Sequence, residues 1–250
     1  MKTTPILAMP ILLSVTAGYV DTAGYLALQG LFTAHVTGNF VTLGASLIHG
    51  TSGVLAKLLA LPVFCIVIVV TRCASYSLAS RGVPILRTML SLKVVLLAVG
   101  AALAVRFGPF LNGDSAPALA TGLTLVAAMA IQNAAQRIHL GTSPPSTLMT
   151  GNTTQIMIDV ADLFGPPIKR VAARPRIARL SASVVAFAVG CGTAAILYAR
   201  TGVYCFLVPP LLGVGTLMFR MQAFGSDLEH ELATIPQAPP PPPSAPSAPA

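Results

Sequence analysis

The chain has 250 residues, of which 54 % are hydrophobic and only 9 % charged, with a mean hydropathy of +0.79 and a formal net charge of +8. A soluble globule of this length needs more polar material on its surface, so the composition places the chain in a lipid bilayer. The 15 lysines and arginines are scattered over loops without a basic stripe interleaved with aromatic residues. Nucleic-acid binding is therefore not expected, and anchoring at the cytoplasmic membrane face explains the charge.

Six apolar stretches of membrane-spanning length follow one another, at about 20 residues for each crossing. They are Ile6–Leu28, Val54–Leu78, Pro84–Val105, Ala116–Arg137, Ile177–Ala199 and Val203–Arg220. Two further stretches, Phe32–Ile48 and Ser146–Phe164, are shorter and more polar. The expected fold is all-α, a polytopic membrane helical bundle of about six transmembrane helices plus two short broken or re-entrant segments.

Each short stretch carries the same triplet near its start. Thr37-Gly38-Asn39 follows Asp21 at a distance of 16 residues, and Thr150-Gly151-Asn152 follows Asn133 at a distance of 17. A triplet alone would be weak, but the polar residue at matched spacing indicates an internal repeat. We expect residues 1–107 to form the first repeat of the membrane domain and residues 116–224 the second. Residues 225–250 form a proline-rich tail that we expect to be disordered.

The placement of lysine and arginine favours re-entrant triplet segments. If both segments return to the side they entered, 11 basic residues share one side against three on the other, whereas full crossings give nine against five. The first arrangement puts both termini and the basic loops Arg72–Arg87 and Lys169–Arg179 in the cytoplasm. It also makes the halves inverted repeats, which characteristically hold ligand sites near the membrane midplane.

Polar residues inside the apolar spans are the first candidates for a site. Asp21 lies in an apolar span, where an isolated carboxylate is costly, so it needs a partner or a function. We expect it to be shielded from lipid and to meet a polar group of the second half, Asn152 or Gln132. The alternative is a clamp between helices. Gln132 and Asn133 share one side of the matched span, where they either line a hydrated path or join helices.

The triplets are the second group of candidates. Each brings a threonine hydroxyl, a glycine with free φ and an asparagine amide to a helix start, where they would attract an anion or a carbonyl oxygen. The alternative is that they only cap a buried turn. We expect both glycines to sit at helix breaks and the two triplets to meet near mid-membrane. The predicted substrate- or ion-binding residues are Asp21, Thr37, Gly38, Asn39, Gln132, Asn133, Thr150, Gly151 and Asn152.

No metal site or cofactor is expected. The four cysteines are far apart, without CxxC spacing, and the histidines are scattered. The chain also has no GxSxG, P-loop or HExxH motif, so enzymatic activity is not expected.

The polar motifs resemble those of a known family. Gly18-Tyr-Val-Asp21, Phe32-Thr-Ala-His-Val-Thr37-Gly38-Asn39, the pair Gln132-Asn133 and the later Thr150-Gly151 together resemble the YoaK family of bacterial inner-membrane proteins, also called domain of unknown function 1275. The resemblance runs from about Pro10 to Arg220. It implies a polytopic protein of the bacterial inner membrane with about six helices, and it implies no particular substrate or catalytic residue.

These observations favour a secondary transporter or exporter of a small solute, with the site between the two triplets and Asp21 as the proton- or cation-coupling group. A passive channel and a non-transporting scaffold that recruits a partner through its tail or basic loops remain alternatives. The expected partners are the lipid bilayer and an unidentified small solute, and a homo-oligomer stays open.

Overall fold

The computed structural model describes residues 5–141 and 143–219. The predicted tail at residues 225–250 lies outside these residues. Within them, the regular secondary structure is entirely helical and the long helices are strongly apolar, which confirms the all-α, polytopic fold class.

The helices follow the predicted stretches closely, except that the last long helix begins at Pro167, ten residues before the predicted Ile177, so the predicted basic loop Lys169–Arg179 is helical. They are α1 (Pro5–Ala27), α2 (Asn39–His49), α3 (Val54–Ala79), α4 (Ile85–Phe107), α5 (Ala116–His139), α6 (Met149–Asp162) and α7 (Pro167–Thr201). A 3-10 turn at Val36–Gly38 precedes α2, and another at Gly202–Leu207 joins α7 to a last helical segment at residues 208–219.

Four stretches of the described chain are long and apolar enough to cross a membrane. They are α3, α4, α5 and the continuous stretch Pro167–Phe219. The last of these folds back on itself. The Tyr19 hydroxyl contacts the Cys205 carbonyl, whereas a Cβ on Gly215 would reach Leu12. Residues 208–219 therefore run opposite to α1. The protein is therefore a multi-pass membrane protein. Helix α1 is long enough to be a further span, and six crossings remain a prediction.

Helix α1 packs along α7 in the same direction. The hydroxyls of Ser14 and Ser183 are 2.7 Å apart, and a Cβ on Gly18 would lie 3.1 Å from the Cys191 sulfur. A Cβ on Gly190 would collide with the α1 backbone, 2.9 Å from the Tyr19 nitrogen. The small residues of α7 are thus the surface on which α1 packs closely.

Helix α5 runs opposite to α1 and packs against α3 and α4. Gln132 Nε2 donates to the Leu13 carbonyl, while a Cβ on Gly122 would lie 3.5 Å from Leu28. Helices α3 and α5 start at the same end of the bundle, because Gly53 and Gly113 approach each other. The first helix of each predicted half therefore packs along a long helix of the other half, α1 along α7 and α5 along α3.

The two short helices do not cross the bundle. With 11 and 14 residues, α2 and α6 are about 16 and 21 Å long, against a hydrocarbon core of about 30 Å. The chain leaves α1 and starts α3 at the same end, where a Cβ on Gly53 would lie 3.3 Å from Gln29. Helix α5 runs opposite to α1, and α7 runs in the same direction as α1. Helix α5 therefore ends at the end of the bundle where α7 begins. Both triplet segments therefore return to the end of the bundle from which they start, and we call them re-entrant on that basis.

Candidate functional site

Asp21 anchors the first re-entrant loop. Its side chain is 4 % exposed, and Oδ1 accepts hydrogen bonds from the backbone nitrogens of Thr33 at 2.8 Å and Ala34 at 2.7 Å, with a longer one from His35. The predicted shielding of Asp21 is confirmed, but its predicted partner in the second half is wrong. The loop turns back over the same face of α1, and its amides would otherwise be buried without acceptors.

His35 connects the two halves. Its Nδ1 lies 2.8 Å from Asp21 Oδ2, and its ring lies close enough to the backbone of Thr147, in the second re-entrant loop, for that backbone to help raise the pKa of His35. The hydrogen bond with Asp21 raises the pKa of His35 above its ordinary value, against the lowering effect of burial. The imidazolium is therefore favoured at this junction.

A cleft of about 560 Å³ opens beside this pair, and we call it the first cleft. Its walls come from α1, α7 and the first triplet, and they include Asp21, Tyr25, Phe32, His35, Thr37, Gly38 and Phe187. The His35 side chain is 35 % exposed and its ring packs edge-on against Phe187. The volume lies within the range of small-molecule sites, about 300 to 1,000 Å³, and the walls combine aromatic rings with one titratable pair.

The asparagines of the two triplets make the same local contact. Asn39 accepts from the Phe32 nitrogen and donates to the Phe32 carbonyl, both at 2.8 Å. Asn152 donates to the Pro145 carbonyl at 2.9 Å, again seven residues earlier in the chain. Both side chains are buried and close the turn that precedes them. This geometry supports the alternative interpretation, in which the triplet asparagines stabilise a buried turn.

The glycines do not supply backbone freedom, and that prediction is wrong. Gly38 has φ −62° and ψ −22°, values open to any residue, and Gly151 lies within the first turn of α6. Gly38 does lie at a helix break, as the last residue of the 3-10 turn Val36–Gly38, whereas the break of the second segment comes before Met149 and therefore before Gly151. A Cβ on Gly38 would lie 3.1 Å from the Phe32 ring, whereas a Cβ on Gly151 would meet open space.

The polar face of α5 holds the second re-entrant loop. Gln132 donates to the Ser146 hydroxyl at 2.9 Å, and Gln136 Oε1 accepts from the Ser146 nitrogen at 2.9 Å. Asn133 Oδ1 accepts from the Thr147 hydroxyl at 2.7 Å. These side chains were predicted either to line a hydrated path or to join helices. The structure shows them joining elements of the bundle.

The nine predicted site residues divide among several places. Asp21, Thr37 and Gly38 line the first cleft. Gly151 and Asn152 line another cleft, of about 360 Å³, with two arginines of α7. The contact that joins the loops, between His35 and Thr147, lies just before each triplet and not within it.

Two residues that matter here were not among the predicted site residues. His35 is 14 residues from Asp21, across a loop that gives no periodic signal, and only its closeness to the triplet pointed to it. Lys93 is buried in the middle of an apolar helix, a position that sequence marks as unusual but does not explain. Within residues 5–141 and 143–219, no three His, Cys, Asp or Glu side chains gather as a metal site.

Comparison with known proteins gives one match. No curated protein and no solved structure matches the chain. The family described as "Protein of unknown function (DUF1275)" matches residues 9–219, a range that takes in α2 to α7, all of α1 except its first four residues, and both re-entrant loops. The chain belongs to the DUF1275 family.

Proposed function

We propose that the protein is a secondary transporter of a small, largely apolar organic solute, without enzymatic activity, in the bacterial inner membrane. The first cleft takes the solute, and His35 is the proton-binding group. One observation carries the proposal: on a cleft wall, an imidazole bound to the Asp21 carboxylate of one half lies beside the Thr147 backbone of the other half.

The packing supports inverted repeats in residues 1–107 and 116–224. If the two halves are exchanged, the packing of α1 on α7 corresponds to the packing of α5 on α3. In the same way, the packing of α2 on α3 corresponds to that of α6 on α7. The bonds of Asn39 and Asn152 exchange in the same way. Transporters built from inverted repeats place their sites where broken segments of the two halves meet. In the proposed orientation, both termini and the basic segments Arg72–Arg87 and Lys169–Arg179 are cytoplasmic.

The proposed coupling uses the two neighbours of the imidazole, Asp21 and the Thr147 backbone. A protonated ring carries two N–H donors and can favour the approach of both, whereas a neutral ring has one N–H and can satisfy only one acceptor. Proton loss would therefore weaken the contact between the re-entrant loops. A solute that binds more tightly to one arrangement of the two loops would then change the affinity of His35 for a proton. Proton binding would change the affinity for the solute by the same factor.

A compound screen followed by reconstitution tests this function. Cells expressing the full chain or its Asp21→Asn variant are compared for growth and accumulation across a panel of small aromatic and aliphatic compounds. Active compounds are then tested in proteoliposomes with and without a pH gradient. We expect the wild type to accumulate the compound against its gradient, and His35→Gln to lose this accumulation.

His49→Gln is the matched control, because His49 is a histidine of the same re-entrant segment outside the first cleft. Accumulation by the wild type that ignores the pH gradient would contradict proton coupling. Equal downhill flux through wild type and Asp21→Asn would indicate a passive channel.

A further inference from the structure

Lys93 is a buried amine without a hydrogen-bond partner among the described residues. It lies on α4, its side chain is 1 % exposed, and Nζ makes no hydrogen bond. The contrast with Lys57 is direct. Lys57 is 4 % exposed, but its Nζ donates to the Ser46 hydroxyl at 2.6 Å and to the Ser52 carbonyl.

A second unsatisfied group, on Gln132 of α5, is buried at the same level of the bundle, because α4 and α5 run antiparallel with Gly100 beside Leu125 and Met89 beside Ile131. Gln132 Oε1 accepts no hydrogen bond, although Gln132 Nε2 binds the Leu13 carbonyl. Leu13 and Leu90 belong to one buried cluster, and Leu90 is one turn before Lys93. Helical side chains lean toward the N-terminus of their helix, so the Lys93 amine extends toward Leu90 and the level of Gln132.

No carboxylate is available to pair with this amine among the elements that pack on α4. Helix α1 carries Asp21, both of whose oxygens are used by the first loop. The other titratable or charged groups on these elements are Tyr19 and Tyr25 on α1, Lys57, Arg72, Tyr76 and two exposed cysteines on α3, Arg137 and His139 on α5, and Tyr204 and Cys205 beyond α7. An unpaired ammonium in such an interior costs several kcal/mol, so the packed bundle favours the neutral amine.

We propose that Lys93 is a proton-binding site that stays neutral in this packed state and takes up a proton when α4 separates from α1 and α5. Acid pH then favours the opened form. The packed state binds one proton fewer than the opened state. Over the pH range in which the opened amine is protonated and the packed amine is not, each fall of one pH unit therefore favours opening about tenfold. This inference depends neither on His35 nor on transport.

Hydrogen exchange of the full chain in lipid nanodiscs tests the proposal. Wild type and Lys93→Met are compared at the same pH, from pH 6 to pH 9, through the exchange of α4 and α5 backbone amides. We expect faster exchange in the wild type at pH 6 and a difference that narrows toward pH 9. His35 is present in both proteins, so its titration cancels in the comparison.

Two further variants sharpen the result. Lys93→Arg keeps the charge at every pH, so its α4 and α5 amides should exchange fast throughout. Lys169→Met removes an exposed lysine paired with Asp162 at 3.5 Å and should match the wild type. Equal protection of wild type and Lys93→Met at every pH would overturn the proposal. Failure of Lys93→Met to fold would also overturn it, because it would show that the packed state needs the ammonium.

Discussion

Asp21 shows how one side chain makes a re-entrant loop tolerable in a membrane. The turn at Thr33 to His35 presents backbone amides in a region without water, and a single carboxylate accepts from all of them. The sequence predicted that this carboxylate would be buried and engaged. It could not predict the partner, because the fold of a short loop over its own helix leaves no periodic pattern.

Removing this acceptor should loosen the first loop. Asp21→Ala leaves several buried amides unsatisfied, each of which costs about 1 to 3 kcal/mol, so a strong fall in the thermal unfolding midpoint is expected. Asp21→Asn retains one accepting oxygen and should fall less. Asp162→Asn is the control, because Asp162 makes an exposed ion pair of small value. Equal midpoints for Asp21→Ala and the control would contradict the anchoring role.

The His35 contact should depend on pH. Because Asp21 raises the pKa of His35 in the folded state, its stabilisation is fully present below the unfolded value of about 6.5. It is lost as the pH rises through the higher folded value. The difference in unfolding midpoint between wild type and His35→Gln should therefore shrink from pH 5.5 to pH 8.5. Lys93 acts in the opposite direction but is present in both proteins. A difference that grows with pH would refute the assignment.

Helices α6 and α7 are held together by a buried ion pair. Asp159 is 0 % exposed and accepts from Arg176 Nε at 2.7 Å and from Gln155 at 2.8 Å, while the Arg176 side chain is 41 % exposed. The pKa of Asp159 is lowered chiefly by its hydrogen bond with Arg176. The buried Asp159 carboxylate therefore needs the ion pair more than the partly exposed Arg176 guanidinium does.

The two ends of this pair should respond differently to mutation. Arg176→Met strands a buried carboxylate and should lower the free energy of unfolding clearly, although less than the loss of a fully buried pair would, because water reaches the guanidinium. Asp159→Asn leaves an arginine that water can solvate, and should cost less. Chemical denaturation in detergent measures both. A larger loss for Asp159→Asn would mean that the carboxylate is not the dependent partner.

The packing of α1 on α7 makes a second prediction for a pair of helices. Gly190→Ala adds a Cβ against the Val15 carbonyl and 2.9 Å from the Tyr19 nitrogen, so the helices must separate. Gly192→Ala, on the same helix, adds a Cβ with nothing within 4 Å. We expect a marked loss of folded protein for the first variant and none for the second, measured by size-exclusion yield and unfolding midpoint. Equal yields would show that α1 and α7 are not in close contact.

Helix positions were predictable from sequence, and the use of the triplet glycines was not. Long apolar runs predicted α3 to α5 within a few residues, since the bilayer requires helices of a fixed length. Gly38 and Gly151 suggested a need for unusual φ values, but both adopt helical geometry. In the structure, each triplet asparagine donates a side-chain hydrogen bond to the backbone carbonyl seven residues earlier. The sequence alone does not identify that acceptor.

For the whole molecule, the central claim is that the two triplet segments turn back within the bundle, so that their loops meet at His35 and Thr147. Chain length and composition predicted the membrane class, and the basic residues favoured the re-entrant arrangement. The sequence could not show that the loops touch, because that contact depends on how α1, α5 and α7 pack. Membrane topology decides whether this arrangement holds in a bilayer.

Cysteine labelling from each membrane face tests that claim most directly. Single cysteines at Ser80 and Gly165, in the two loops that precede α4 and α7, are introduced into the full chain after Cys65, Cys73, Cys191 and Cys205 are replaced by alanine. Helices α4, α5 and α6 lie between the two positions. If α4 and α5 cross and α6 is re-entrant, both positions lie on one face, so an impermeant thiol reagent should label both from the same side of oriented membranes. Labelling of Ser80→Cys and Gly165→Cys from opposite sides would mean that α6 crosses fully, and would contradict the account.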